Sequence, residues 1–229
     1  MLIEYIKQRQ AMLEEKNNFY TPTGIQVFTK DPLINNDLDM DAVVAKYEAT
    51  LPEHVRDEVE MIIIGDFDEF HEREINAFYK DGTLHVSNIQ DDLEDLLDDL
   101  IHETAHSLEG PRGYEIYADQ KLKNEFLRKR KYLYEILWKM GFKAPFSKFM
   151  ETEYDQEFDE FLHQDVGYDK LSEILKGIFV TPYAATCLRE YFATGFTEFY
   201  LYPDSHNYLK KVSPELYRKL ILIHAPDEA

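Results

Sequence analysis

Cysteine is almost missing from this sequence. The 229 residues contain one, Cys187. No disulfide can form within the chain, which excludes a small disulfide-stapled scaffold and fits a reducing compartment. Long apolar runs are missing as well. Stretches such as Met61-Ile62-Ile63-Ile64 fall far short of the roughly 20 residues of a membrane span. The start, Met1 to Lys7, shows no basic region followed by an apolar core, so no signal peptide is visible. The expectation is an intracellular protein, of the host cell or virion if phage-encoded. Basic charge is scarce: 25 Lys and Arg stand against 45 Asp and Glu, for a formal net charge of −20. A surface of that sign argues against nucleic acid and anionic membrane as partners.

What remains is ample core material. Hydrophobic residues make up 44% of the chain, with 16 Tyr and 15 Phe, enough for one large globular domain. There is no repeat and no low-complexity linker. Residues 1–17 read as a helix, Ile25 to Phe28 as a short strand, and Asp39 to Leu51 as a helix stopped by Pro52. Met61 to Ile64 reads as a buried strand. Asp81-Gly82, between strand-like segments, predicts a hairpin. The alternation of Leu84 and Val86 with His85 and Ser87 buries one face of its second strand. Leu84 to Ser87 reads as a sheet edge on which an extended peptide could add as another strand, with an ordinary internal strand as the alternative. Further on, the pattern predicts helices over 114–140, 146–164 and 168–179, one opening at Pro182, and a last one from Ser213 to about His224. The basic cluster from Lys121 to Lys131 reads as a solvated face or an internal counter to the acids.

The stretch that carries chemistry is His102-Glu103-Thr104-Ala105-His106. At this composition a chance His-Glu-x-x-His arises in roughly one such chain in twenty, so its surroundings must decide. Leu93, Leu96, Leu97, Leu100, Ile101, Thr104, Ala105 and Leu108 recur at helical spacing and form one apolar stripe. The two histidines lie at its edge. Residues four apart on a helix share a face, so both imidazoles can reach one Zn²⁺, and Glu103 is placed to act as general base on metal-bound water. Gly110-Pro111 is expected to end this helix near Glu109.

A hydrolytic zinc site needs a third protein ligand. Glu109 and Arg112 stand where one large class has Gly and His, so that class is excluded. Two acids compete for the role. Glu115 is only nine residues past His106, with a predicted turn between them. Glu190 opens Glu190-Tyr191-Phe192-Ala193 on a later helix, which can cross the motif helix independently.

The pairing of His102-Glu103-x-x-His106 with Glu190-Tyr-Phe-Ala193, and with Tyr183 seven residues before Glu190, resembles the lethal-factor-like zinc peptidases. That family includes the catalytic domain of anthrax lethal factor and the Pro-Pro endopeptidases. The resemblance implies His102, His106 and Glu190 as ligands of one zinc ion, Glu103 as base and Tyr183 as oxyanion stabiliser. It covers about thirty residues in two patches plus the strand–turn–strand before the motif. Thr194 stands where the family often has a second acid, and 84 residues separate His106 from Glu190.

The fold expected is α+β and mostly helical: a zincin-like metallopeptidase domain over 1–229, with a small sheet packed on the motif helix. An α/β part covers about 1–110 and an elaborated helical part about 111–229. The function expected is a zinc endopeptidase acting on a polypeptide. The competing reading is a catalytically silent zincin-fold binding or virion-structural protein.

Overall fold

Strand-forming residues cluster before residue 90 and helix-forming ones after it, and the structure follows that division. The computed structural model describes residues 17–34 and 38–225. The expected N-terminal helix lies outside the described residues. Two compact units are present, one running to residue 107 and the other from residue 108.

The first unit is α+β. Its elements are β1 (Asn18–Tyr20), β2 (Gln26–Thr29), α1 (Met40–Thr50), β3 (Met61–Gly65), α2 (Asp68–Arg73), β4 (Ala77–Lys80), β5 (Thr83–Ser87) and the first part of α3 (Leu93–Tyr117). The strands form one mixed sheet in the order β1-β2-β3-β5-β4. The inner pairs β2–β3 and β3–β5 are parallel, while β1 and β4 run antiparallel to their neighbours. Ile62 and Ile64 on β3, and Leu84 and Val86 on β5, are fully buried, as alternation on a half-covered sheet requires. The hairpin expected at Asp81-Gly82 joins β4 to β5, with both turn residues at positive φ. One expectation is corrected. The strand Thr83–Ser87 is internal, and β4 is the edge. Parallel pairing of β5 with β3 joins segments far apart in sequence, which local alternation cannot reveal.

Helix α3 begins at an Asp92 cap, whose carboxylate accepts from the amides of Glu94 and Asp95 at 2.8 and 3.0 Å. It then runs 25 residues, through Gly110 and Pro111. Neither Gly110 nor Gly113 takes a positive φ; the left-handed Gln120 lies past the end of the helix, as the N-cap of the next one. A proline inside a helix removes one backbone hydrogen bond, and here that single loss did not terminate it.

The second unit is helical. After α3 come α4 (Lys121–Met140), α5 (Phe146–Met150), α6 (Gln156–Glu160), a π-helical turn (Phe161–Gly167), α7 (Tyr168–Ile174), a 3₁₀ turn (Tyr183–Ala185), α8 (Leu188–Leu201), α9 (His206–Val212) and α10 (Pro214–His224). The single helix expected over 146–164 is therefore two short helices and a π turn. The basic run on α4 is partly internal. Lys129 and Arg130 are buried, and Arg130 donates to the carbonyls of Ala185 and Thr186 at 2.7 and 2.8 Å. Burial holds Lys129 down to about 7, against the pull of Glu125. Glu125 in turn accepts from the Glu215 and Leu216 amides at the start of α10 and from the Tyr191 hydroxyl, a carboxylate set at a helix N-terminus. Among the described residues no helix is long and apolar enough to cross a membrane.

Helix α8 sits close against α10. A Cβ on Gly195 would lie 2.3 Å from Leu216 Cδ2, and Leu216 is fully buried. Gly195→Ala is expected to cost about 1–3 kcal/mol through overpacking, read as a lower urea midpoint. An unchanged midpoint would mean that this contact is slack.

Candidate metal centre

Burial of one stripe sets how α3 is turned. Leu96, Leu97, Leu100, Ile101, Ala105 and Leu108 are all buried. Within the first unit the Tyr47 hydroxyl on α1 bonds Thr104 Oγ1 at 2.8 Å, fully buried. This leaves His102 and His106 half-buried at the edge of the stripe, with ring centroids 5.1 Å apart and planes at 71°. Glu103 projects toward the sheet. It is 8% exposed, and its Oε2 accepts the Tyr79 amide of β4 at 2.8 Å. Tyr79 faces Leu84 across the hairpin. The Ser87 amide bonds Asn76, so by alternation Tyr79 and Leu84 form a non-hydrogen-bonded pair. The Tyr79 N–H therefore points to the free edge of β4, where Glu103 meets it.

Glu190 lies in the first turn of α8. The residues after it, Tyr191 to Thr197, are buried without a break, so the helix is fixed along most of its girth. Tyr183 lies outside α8, in the 3₁₀ turn before it. Its carbonyl accepts from the Thr186 amide and hydroxyl at 3.0 and 2.8 Å. Burial, and then the charge of Glu190, hold its phenol well above the usual tyrosine range, so it stays protonated and able to donate.

Among the described residues, one group of side chains could share a metal ion. Ligand atoms of His102, His106 and Glu190 all lie within 4.8 Å of one another, and all three residues are half-buried. Two imidazoles and a carboxylate match the His₂Glu donor set of hydrolytic zinc enzymes. Glu115, the competing acid, is on α3 itself. Nine residues past His106 is about 13.5 Å along the axis and half a revolution round it. It is exposed and cannot join the histidines.

Two features here were not anticipated. One is Glu109, bonded to Arg189 and Tyr117; its signal was its place one turn after His106. The other is Asp99, one turn before His102. Asp99 accepts from Gln90 Nε2 at 3.0 Å. Burial first, then the charges of Asp95, Asp98 and Glu103, push its carboxyl up to about 7.

A raised carboxyl binds its proton more tightly folded than unfolded. Its contribution is therefore intact below the unfolded value, and is lost as pH rises through about 7. Asp99→Asn removes that loss while keeping an acceptor for Gln90. In metal-free protein it should raise the thermal midpoint at pH 8 by several degrees more than at pH 5. Equal shifts at both pH values would mean that Asp99 is ionised in the fold at either pH.

No protein-family model matches this chain, and neither a curated protein nor a solved structure matches it.

Proposed function

We propose that this chain is a zinc-dependent endopeptidase of zincin-like architecture, related to the lethal-factor-like peptidases. His102, His106 and Glu190 hold one Zn²⁺. The observation that carries this reading is the convergence of those three ligand atoms within 4.8 Å, beside a glutamate in the position of a general base. A donor set of three leaves a coordination position open, as catalytic zinc requires and structural zinc does not. Zinc bound there supplies Lewis acidity, which acidifies water and polarises a peptide carbonyl.

The chain's own residues move the protons. Glu103 takes one from the attacking water and delivers it to the leaving amine. The Tyr79 amide holds Glu103 Oε2 from the sheet side, which limits how far the carboxylate can swing. Tyr183, kept protonated by burial, donates to the oxygen that becomes negative. Loss of one such donor slows a reaction about 10²–10³-fold. The substrate is a polypeptide. The net charge of −20 disfavours nucleic acid and anionic membrane. The single cysteine, Cys187, suits a reducing, intracellular setting.

Metal analysis combined with a peptide-library digest tests this. Wild type should carry one zinc per chain and cleave peptides, and chelation should abolish cleavage. Glu103→Gln should keep the zinc and lose about 10²–10⁴-fold in rate. Glu190→Ala should lose the zinc. Zinc without any cleavage would leave a silent zincin-fold binding protein. Wild-type cleavage by Glu103→Gln would remove Glu103 from the mechanism.

A further inference from the structure

The second unit contains an ion pair whose two members each stand next to a proposed metal ligand. Glu109 lies three residues, one helical turn, after His106 on α3. Arg189 immediately precedes Glu190 in the first turn of α8. Glu109 Oε2 accepts from Arg189 Nε at 2.6 Å and from a terminal guanidinium nitrogen at 2.5 Å. Glu109 Oε1 accepts from the Tyr117 hydroxyl at 2.5 Å. Both carboxylate oxygens are thus engaged, and the arginine meets one of them through two nitrogens.

Burial makes the pair asymmetric. The Glu109 side chain is 9% exposed and that of Arg189 58%. An exposed ion pair contributes little. A carboxylate drawn out of water depends on its partners, and removing one leaves it uncompensated. The Glu109 hydrogen bond, more than any other influence, holds the Arg189 guanidinium above its ordinary value. Tyr117 is held above the tyrosine range by burial and then by the Glu109 charge, so it remains a donor. Its ring lies 6.2 Å from that of Phe192, edge-on, two residues past Glu190. Residues of the α3 end therefore grip α8 on both sides of Glu190, at Arg189 through charge and at Phe192 through an aromatic contact.

We propose that Glu109 and Arg189 are positioning residues that fix Glu190 for metal binding. This rests on the zinc reading given above. Burial fixes the body of α8 but begins only after Glu190, and on its other side the first turn follows the extended Cys187. A bond at Arg189 restrains that side, one residue from the ligand. Partners of this kind behind a ligand set typically hold 10–100-fold in metal affinity.

The test is a double-mutant cycle on the full chain with Glu109→Gln, Arg189→Met and the pair. Zinc affinity is measured by chelator competition, and the thermal midpoint on zinc-free protein. Arg189 is more than half exposed, so Arg189→Met is the variant that keeps the fold. Each single variant should bind zinc about 10–100-fold more weakly. The double variant should be no weaker than the worse single, because one interaction is removed twice. Arg189→Lys should recover only part of the loss, since an ammonium cannot reproduce the two-nitrogen contact. A merely stabilising bridge would lower the zinc-free midpoint and leave zinc affinity within about twofold. That result, or strictly additive losses, overturns the proposal while leaving the zinc centre standing. A wild type with no zinc affinity overturns both.

Discussion

How α3 is turned about its own axis fixes everything else at the candidate site. Six buried aliphatic side chains from Leu96 to Leu108 face inward, and burial at about 25 cal/mol per Å² outweighs any preference of the polar residues between them. The buried Tyr47–Thr104 hydrogen bond adds direction to that non-directional force. With the stripe fixed, a rise of 1.5 Å and a turn of 100° per residue leave no freedom. His102 and His106 share the edge, Glu103 meets the sheet at Tyr79, and Glu109 comes one turn later. A rotation of even one residue would put the histidines in the core or in open water.

Charge is used differently in the interior than on the surface. The chain carries a large acidic excess, yet the charged groups it buries in the second unit have named structural partners. Glu125 takes the first amides of α10 and the Tyr191 hydroxyl. Arg130 gathers three backbone carbonyls, those of Lys148, Ala185 and Thr186, and lies over the Phe158 ring at 4.0 Å. Two of those carbonyls lie two and three residues after Tyr183, so a buried guanidinium anchors the turn that presents the phenol. The basic run on α4 thus serves the interior at Lys129 and Arg130, in line with the overall charge of the protein.

Much of this was legible in the sequence, for local reasons. The stripe of α3, the hairpin at Asp81-Gly82 and the alternation on Thr83–Ser87 each rest on neighbours within a few residues, and the structure bears them out. The pairing of His102 and His106 is legible because helical spacing is fixed. What local pattern could not give is partner choice. The strand Thr83–Ser87 looks like an edge until β3, whose Met61 pairs with Thr83, is seen beside it. Gly110 and Pro111 look like a stop, but a glycine ends a helix only by adopting positive φ, and Gly110 does not. That misreading also left Glu115 in contention, since on a continuous helix it faces away from the histidines. Glu109 and Arg189 are 80 residues apart in a chain that is 31% charged, so nothing in the sequence singles out their pairing.

The central claim is that two imidazoles and one carboxylate hold zinc. X-ray absorption at the zinc edge of the purified protein addresses it most directly. The account predicts a mixed nitrogen and oxygen shell at about 2.0–2.1 Å, with the outer-shell scattering of two imidazole rings. A shell of six oxygens, a sulfur contribution, or no bound zinc would contradict it.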